Sequence, residues 1–591
     1  MGRAEQLITE HLDLWHSAVK AKSSAGRGSS KKLELYGITK LRELILDLAA
    51  RGMLIPQENA DERTSILLKQ ASDERSRLER DRTIKAVRIK PIEADEEPYK
   101  IPESWCWARF PQLCHYSPGK TPSTKNPSFW ASGEDTSAIP WVSISDMLHS
   151  GSISSTNKKV STLAKNKVFK REAVKAGSIL MSFKLTVGKI SRISVDAYHN
   201  EAIISVTPFT GILDEYIFKF LPVRAREGNT KSAIMGNTLN ASSLAQLLIP
   251  LPPLAEQHRI VAKVDELMAL CDQLEEEQEN SLETHETLVS TLLNALTSAA
   301  ADASQFAEAW QRIQDNFDIL FTTESSVEHL KRTILEISMT GKLVPQNLEE
   351  EEGAELIQKI RSEREKLIKE RKIKKPKPPI NFNGLDGLQK VIPDSWAWIR
   401  LSDIADVVRG GSPRPAGDPR FYGGNIPFLK VADITNTSGK IVEGYNSTIK
   451  EAGLVKTRFI NNRTVLLSNS GATLGIPAIC TFPATFNDGI AAFVELSDFL
   501  YDEYLHLCLK NLSRWFLEVA SRGQGQPNLN TDIIKATWIP LPPLSEQHRV
   551  VAKVDELLAL CDQLKASLAN AQETQLNLTD SIVEQAIHSP A

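Results

Sequence analysis

The clearest candidates for chemistry are two histidines, His258 and His548, each of which follows Glu-Gln at the start of a predicted helix. An imidazole near neutral pH can act as a general acid or base. Neither histidine has a nucleophile or a cluster of metal-binding residues beside it in the sequence. An interface or helix-capping role is therefore favoured over acid–base catalysis at both positions.

Two short motifs are similar to chemical signatures but fail at a required position. Gly-Lys-Thr at residues 119–121 is similar to the end of a phosphate-binding loop, but Cys114 stands where that loop needs a glycine. Asn-Pro-Ser-Phe at 126–129 is similar to the Asn-Pro-Pro-Phe/Tyr tetrapeptide of amino-methyltransferases. It departs at the third position, and no glycine-rich cofactor loop precedes it.

Metal-binding patterns are also missing from the sequence. The six cysteines form no Cys-x-x-Cys pair, and there is no His-Glu-x-x-His motif. The sequence therefore predicts no catalytic residue, no metal site and no cofactor in this chain. Unpaired cysteines favour a reducing compartment, so we expect a cytoplasmic location.

Length and composition indicate an ordinary globular protein of several domains. The chain has 591 residues, enough for about four structural units. Hydrophobic residues make up 41% and charged residues 24%, and the formal net charge is −4. Any nucleic-acid site must therefore be a local basic patch. No apolar run is long enough to predict a membrane span, and the N-terminus does not resemble a signal peptide.

The elements that position these residues come from a duplication. Residues 249–274 and 539–564 differ at only three of 26 positions, at an offset of 290. Weaker matches recur near that offset, such as Ile-Pro-Glu-Ser-Trp at 101–105 and Ile-Pro-Asp-Ser-Trp at 392–396. A period of half the chain indicates a duplicated module with an approximate internal two-fold, since solenoid repeats are far shorter.

Each half divides into a helical arm, a mixed segment and a long helix. The mixed segments contain strand-like runs, such as 178–181 and 464–467, and helical stretches such as 503–518, which predicts two α/β domains. The predicted segments are 1–100, a helical arm; 101–248, the first mixed domain; 249–300, the central helix; 301–391, a second arm with a basic linker; 392–538, the second mixed domain; and 539–591, the C-terminal helix.

A heptad pattern follows the Pro-Pro pair in both copies, from 264 to 295 and from 554 to 585. The seam is apolar but is interrupted by polar residues in mid-helix. It predicts that the two long helices pair as an antiparallel coiled coil that separates the α/β domains. The alternative is a single amphipathic helix packed on its own domain.

Charge is unevenly distributed along the chain. Residues 101–249 carry 17 Lys and Arg against 10 Asp and Glu, net +7, whereas 392–538 carry 14 of each. Residues 250–300 have net charge −8 and residues 539–591 have −4, so the long helices should avoid a phosphate backbone. The mixed domains are the expected nucleic-acid faces. The basic run at 366–377 either contacts phosphates or is a solvated helix end.

At the two copies of Pro-Leu-Pro-Pro-Leu-x-Glu-Gln-His-Arg, residues 250–259 and 540–549, the chain resembles a specificity (S) subunit of a type I restriction-modification enzyme. The resemblance covers essentially the whole length, and the long N-terminal arm is similar to the type IB class. Further matching pieces lie at 119–123, 139–142, 410–413, 425–428, 466–473 and 526–530.

The resemblance implies that each mixed domain is a target recognition domain for one half of a split, asymmetric site in double-stranded DNA, with the paired helices as the spacer. It implies no catalysis in this chain. Two modification (methyltransferase) subunits and two restriction (translocase and nuclease) subunits would dock on it. S-adenosylmethionine, ATP and magnesium would bind those partners, and the assembled complex would be an adenine methyltransferase and ATP-dependent endonuclease.

The resemblance also directs attention to loop residues and to the repeated helix starts. Residues 182–189 depart from the family loop Ser-x-Gly-x-Thr-x-Gly by lacking its inner glycine. Polar loop side chains suit phosphate and base contacts, and we predict as DNA-binding Lys120, Thr121, Ser123, Lys125, Lys184, Lys189, Arg414, Arg420, Asn469, Ser470, Thr473, Gln524 and Gln526. The predicted docking residues are Glu256, Gln257, His258, Arg259, Glu546, Gln547, His548 and Arg549. For the docking set, a helix cap against the neighbouring domain is the alternative.

Two other classes of function remain as alternatives. An autonomous methyltransferase or nuclease would bind S-adenosylmethionine or a metal by itself, and the missing motifs argue against it. A structural coiled-coil scaffold would show no sequence-selective DNA binding, and the domain of net charge +7 argues against that.

Overall fold

The computed structural model describes the chain over residues 9–21, 33–58, 61–131, 137–184, 186–227, 239, 241–299, 302–347, 349–373, 375, 390–520 and 528–588. These residues form two compact units. The first comprises Met1–Asn280 with Gln572–Ala591, and the second comprises Ser281–Ala571. The boundaries fall inside the two long helices, whereas the six-segment division of the sequence stays a prediction.

Two sheets form the mixed domain of the first unit. A five-stranded sheet has the order Cys114–Pro118, Ile203–Pro208, Ile179–Ser182, Ile190–Ile193, Ser152–Ile153, and a three-stranded sheet has the order Tyr198–His199, Ile139–Val142, Lys158–Val160. Two short antiparallel pairs join Cys106–Arg109 to Leu248–Leu251 and Lys20–Ala21 to Leu33–Glu34.

The second unit repeats this plan. One four-stranded sheet has the order Asp406–Arg409, Ile490–Val494, Thr464–Ser468, Pro477–Cys480, and the other has the order Thr448–Ile449, Tyr422–Leu429, Ala484–Phe486, Arg458–Ile460. Ala397–Arg400 pairs antiparallel with Trp538–Leu541.

Strand register confirms the duplication. Ser182 pairs with Ile203 in the first unit, and Ser468 pairs with Ile490 in the second, each at the end of a central antiparallel pair. A slip of one residue would turn every side chain to the opposite face, so a shared register indicates a shared core. The predicted strands at 178–181 and 464–467 are confirmed within one residue.

Helices cover the sheets and form the arms. In the first unit they are Leu12–Ser17, Tyr36–Ala50, Thr64–Arg80, Phe110–Leu113, Thr162–Ala164, Asp214–Glu227 and Ala241–Gln246, with short 3-10 turns at Ala94–Glu96, Pro127–Phe129 and Ile144–Asp146 and a π turn at Lys165–Phe169. In the second unit they are Ala303–Asp315, Phe317–Leu320, Glu324–Ser338, Gly353–Lys369, Leu401–Ile404, Val431–Thr435, Glu451–Leu454, Asp502–Ala520 and Thr531–Ala536.

The two long helices, Leu254–Ser298 and Leu544–His588, have 45 residues each and follow the Pro-Pro pairs as predicted. At 1.5 Å per residue each is about 68 Å long. Val264 and Cys271 of the predicted seam are buried, as are Val554 and Cys561. Their antiparallel pairing stays a prediction.

Alternation along the strands builds the core of each unit. In strand Thr464–Ser468, Val465 and Leu467 join one hydrophobic cluster, which also includes helix residues, while Leu466 joins a second cluster on the opposite face. This sheet is therefore buried on both faces, and only its strand ends and loops are available for binding.

Membrane and metal features are lacking within the described ranges. No helix there is long and apolar enough to cross a membrane. No group of three or more His, Cys, Asp or Glu side chains in those ranges is placed to hold a metal ion.

Candidate nucleic-acid interface

One glycine in each unit lets a predicted DNA-binding loop pass against a strand end. A Cβ atom at Gly119 would lie 1.9 Å from the carbonyl oxygen of His199, and one at Gly410 would lie 2.2 Å from that of Asn487. Any larger residue would displace these backbones. The loops that begin at 119 and 410 are therefore held at equivalent places in the two units.

The next residues of these loops are fixed to an acid on the neighbouring turn. The Thr121 hydroxyl donates to the carboxylate of Glu201, and the Ser412 hydroxyl donates to Asp488 at 2.6 Å. The hydrogen bond from Ser412 is the main cause that lowers the pKa of Asp488. Thr121, a predicted DNA contact, thus has its hydroxyl proton committed within the protein.

The predicted lysines of the first loop have no acidic partner among the described residues. The Lys120 ammonium is exposed and donates to the carbonyl of Val168 at 3.3 Å. Lys125 is exposed, and the Ser123 carbonyl accepts the indole N–H of Trp130 at 3.2 Å. The loop is thus anchored through its backbone while its charged groups face solvent.

In the second unit, the predicted arginines of the loop that begins at Gly410 have acidic partners. Arg420 forms an ion pair with Asp418 at 2.6 Å, although its side chain is 72% exposed. Hydrogen bonds from Arg420 are also the first cause that lowers the pKa of Asp418. Arg414, 74% exposed, lies 3.7 Å from Asp488.

Each unit has another loop, at 182–189 in the first unit and 468–476 in the second, and a buried serine closes it. The Ser182 hydroxyl donates to the carbonyl of Thr186 and accepts the backbone N–H of Lys189 at 3.0 Å. Ser468 makes the same pair of bonds, to the carbonyl of Thr473 at 2.6 Å and from Ile476 at 2.9 Å. The two loops therefore share one closure.

The two predicted lysines of this loop in the first unit differ in availability. The Lys189 ammonium donates to the carbonyls of Ile144 at 3.4 Å and Met147 at 3.2 Å, so it holds a turn. The Lys184 ammonium lies 5.2 Å from the ring centre of Phe183 and is partly exposed. Lys184 stands where the family loop has its inner glycine, and its neighbour Leu185 lies outside the described residues.

Asn469 of the second unit is the structural counterpart of Phe183 in the first unit. The backbone N–H of each bonds across the sheet, and the carbonyl of each accepts the N–H of Leu239 or Leu529, at 2.9 and 2.7 Å. Asn469 is fully buried, and neither atom of its amide has a hydrogen-bond partner among the described residues. Such an amide costs about 1–3 kcal/mol if it stays unpaired.

The other predicted residues of the second unit lie around Asn469. Ser470 is half-buried and forms an isolated bridge with Asn528, and Thr473 is exposed. Gln524 and Gln526 lie outside the described residues.

Sequence reasoning missed four exposed lysines of the first unit. Lys158 and Lys159 lie on strand Lys158–Val160, and Lys167 and Lys170 lie in and just after the adjacent π turn. The signal was present, because residues 158–175 contain seven Lys and Arg against one Glu. Their proximity to the first loop depends on strand pairing, which the charge count does not reveal.

The repeated helix starts place the predicted docking glutamates inside the protein. Glu256 is buried and accepts the amide of Gln57 at 2.6 Å and the indole N–H of Trp105 at 2.9 Å. Glu546 accepts Gln346 at 2.5 Å and Trp396 at 3.0 Å. Burial is the first cause that raises the pKa of both carboxyls.

Gln257 and Gln547 are also buried and satisfied locally. Gln257 accepts the backbone N–H of Leu213 at 2.9 Å and donates to the carbonyl of Pro252 at 3.0 Å. Gln547 does the same with Tyr501 at 2.8 Å and Pro542 at 3.1 Å. These contacts fit the helix-cap alternative.

The last two residues of the motif behave differently from each other. Arg259 pairs with Asp61 at 2.7 Å, and Arg549 pairs with Glu350 at 2.5 Å. His258 and His548 are exposed. Within the motif, the histidines are therefore the residues best placed to meet another molecule.

An exposed face continues from each histidine along its helix. In the first unit it includes Ala262, Ala269, Leu270 and Gln273, and in the second unit it includes Ala552, Ala559, Leu560 and Gln563. Each residue is identical to its counterpart 290 positions away. Leu270 is 47% exposed and Leu560 is 53% exposed, so their identity is not explained by core packing.

Comparison with known proteins supplies the family context. The model of the type I restriction modification DNA specificity domain matches residues 102–284 and 393–572. The chain is 32% identical over 617 aligned positions to the type I restriction enzyme EcoEI specificity subunit of Escherichia coli, and 32% identical over 615 positions to the EcoAI specificity subunit of the same organism. Both alignments cover 99% of this chain and 100% of the relative.

Among solved structures, the HsdS subunit from Thermoanaerobacter tengcongensis is similar over 83% of this chain and 98% of its own. The TM-score is 0.40 and the sequence identity is 20%.

Proposed function

Because this chain belongs to the family of type I restriction-modification specificity subunits, with two recognition domains, we propose that it reads a bipartite, asymmetric site in double-stranded DNA, one half per domain. One observation carries the proposal. Both units build the same two loops at equivalent strand ends, but they place different side chains on them: Lys120 against Gly411, and Phe183 against Asn469. Equivalent frames with different readout groups fit two different half-sites.

The loop chemistry suits a division between positioning and reading. Exposed ammonium groups such as Lys120 and Lys125 suit phosphate oxygens, which fix the register of a protein on the duplex. An amide such as Asn469 suits the N6 and N7 edge of adenine, if the loop opens on binding. The other exposed candidates of the second domain, Arg414 and Arg420, would have to exchange carboxylates for DNA.

Catalysis in this proposal belongs to partner subunits. The chain docks two modification subunits and two restriction subunits, and these bind S-adenosylmethionine, ATP and magnesium. The assembly methylates adenine and cleaves DNA in an ATP-dependent way, in the cytoplasm. The comparisons support a specificity role for this chain, and the catalytic assembly is inferred from that role.

We propose that methyltransferase subunits dock on the exposed face that recurs on each long helix, beginning at His258 in one helix and at His548 in the other. Identity between two exposed surfaces of one chain fits recognition of two copies of one partner. Of the predicted docking residues, Glu256, Gln257 and their counterparts would act indirectly, since they orient the first turn that presents the histidine.

Methylome sequencing tests the function. Cells that lack other adenine methyltransferases would express the chain with its modification subunit, and we expect methylation at a split motif of two specified halves and an unspecified gap. Expression of the chain without that subunit is the matched control and should leave the DNA unmethylated. A single continuous motif, or methylation in the control, would reject the proposal.

A further inference from the structure

Six exposed lysines lie on three neighbouring elements of the first recognition domain: the first loop, strand Lys158–Val160 and the π turn Lys165–Phe169 with the residue after it. They are exposed, and none has an ion-pair partner among the described residues; they are Lys120, Lys125, Lys158, Lys159, Lys167 and Lys170. Ion pairs in this neighbourhood involve other lysines, such as Lys165 with Glu172 at 2.8 Å. Unpaired ammonium groups on neighbouring elements create a local positive potential that attracts an anionic partner.

Backbone contacts place these lysines together. The backbone N–H of Ala131 bonds to the carbonyl of Lys159 at 3.0 Å, which joins strand Lys158–Val160 to the end of the first loop. The Lys158 ammonium lies 5.5 Å from the ring centre of Trp130. On the other side, the Lys120 ammonium reaches the carbonyl of Val168 in the π turn. The strand, the loop and the turn therefore form one surface.

Strand register identifies the corresponding residues of the second domain. Ile139 pairs with Val160 and Pro140 with Lys159, just as Ile426 pairs with Ile449 and Pro427 with Thr448. Lys159 therefore corresponds to Thr448, and Lys158 corresponds to Ser447. Two cations of the first domain are replaced by two hydroxyls.

Several cations of the second domain are already engaged. Arg414 and Arg420 lie against Asp488 and Asp418, as described above. Arg458 is exposed and donates to the carbonyl of Arg409 at 3.1 Å, the same kind of contact that Lys120 makes with Val168, so it counts as available. Lys450 and Lys456 are exposed and make no ion pair among the described residues, so they provide a matched pair for comparison.

We propose that the two recognition domains divide the work unequally: the first domain binds the DNA phosphate backbone through this lysine surface and supplies most of the salt-dependent affinity, while the second contributes mainly uncharged contacts. This inference rests on the proposed function, because it assumes that both domains meet DNA. It also implies that the first domain holds non-specific DNA while the second domain tests its half-site.

The salt dependence of binding separates these contributions. Each phosphate neutralised by a cation releases counterions, and each such contact makes the slope of log affinity against log salt more negative by about 0.9. Contacts to bases leave that slope nearly unchanged. Loss of two phosphate contacts should therefore make the slope less negative by about 2, whichever base sequence is bound.

The experiment uses the full chain assembled with its modification subunits. Affinity for a duplex with the complete site would be measured by fluorescence anisotropy between about 50 and 200 mM KCl. The variants are Lys158→Gln/Lys159→Gln on the strand, Lys167→Gln/Lys170→Gln at the turn, and Lys450→Gln/Lys456→Gln as the matched control. We expect each first-domain pair to make the slope less negative by about 2, with the preferred sequence unchanged, and the control to change it by less than half as much.

The outcomes distinguish this inference from the proposed function. Equal slope changes in the two domains, or a larger change in the control, would overturn the unequal division. No slope change with either first-domain pair, whose positions lie on separate elements, would also overturn it. If the unaltered complex does not prefer its site over random DNA, the proposed function itself fails.

Discussion

Two buried carboxyls, Glu256 and Glu546, show how a single residue fixes the start of a long helix. Each accepts an indole N–H and an amide N–H from residues about 150 to 200 positions earlier in the chain. Removal of the acceptor leaves two buried donors unpaired, at about 1–3 kcal/mol for each. The carboxyl itself carries a cost, because burial raises its pKa.

The pH dependence of stability tests this at Glu546. A raised pKa means that the folded state binds the proton more tightly, so this contribution is present at low pH and is lost as pH rises through the folded pKa. Glu546→Gln keeps one acceptor for the two donors and cannot ionise, so we expect its stability deficit relative to the native chain to shrink as pH rises from about 4 to 7. Glu546→Ala should instead lose about 2 kcal/mol or more at pH 7.

Urea unfolding followed by tryptophan fluorescence would measure both effects. The control is Glu556→Gln, an exposed residue paired with Lys553 on the same helix, which should stay within about 0.5 kcal/mol of the native chain. A Glu546→Gln variant that loses relative stability as pH rises would contradict the assigned role of burial.

At the scale of elements, each long helix has an inner and an outer face with different constraints. The inner face buries Val264 and Cys271 in one helix and Val554 and Cys561 in the other. The outer face exposes a leucine, at 270 or 560, that packing within the unit does not require. Under the proposed function, this separation would let one helix stabilise the fold while its outer face meets a modification subunit.

The outer face predicts the stoichiometry of assembly. Leu270→Asp or Leu560→Asp should each remove one modification subunit, and the double variant should remove both, because a charge in an apolar contact weakens it at least about ten-fold. Mass photometry of the co-expressed complexes would count the subunits.

Thr287→Asp provides the control, since this exposed residue lies on the same helix, beyond the near-identical segment and outside the predicted heptad seam. Retention of both modification subunits by the double variant would show that docking uses another surface.

At the scale of the whole molecule, each recognition domain is inserted between two strands that pair with each other antiparallel. Cys106–Arg109 pairs with Leu248–Leu251, and Ala397–Arg400 pairs with Trp538–Leu541. The chain therefore enters and leaves each domain at adjacent strands. An insertion with neighbouring ends can be replaced without moving the helices on either side.

Domain exchange tests this modularity. Replacement of residues 102–248 by the corresponding domain of a related chain should change one half of the methylated motif and leave the other half and the gap unchanged, because separated base contacts contribute roughly additively. Methylome sequencing of cells with the hybrid measures this. The reciprocal hybrid at 393–538 is the control and should change only the other half. An active hybrid that alters both halves together would refute independent reading.

The sequence by itself determined the features that depend on neighbours along the chain. The duplication, the helix starts after Pro-Pro and the strands at 178–181 and 464–467 follow from local pattern, since helix and strand periodicity are short-range properties. The resemblance carried by the Glu-Gln-His-Arg copies gave the family for the same reason: an almost unchanged 26-residue segment can be recognised without coordinates.

Only the tertiary structure decided which of the polar residues are free to act. Glu256 bonds to Gln57, 199 positions away, and the Lys189 ammonium bonds to carbonyls more than 40 positions away. Lys158 joins the first loop only because its strand pairs beside Ile139. Burial and charge pairing depend on which distant segments the fold brings together, and neither the spacing nor the type of a residue contains that information.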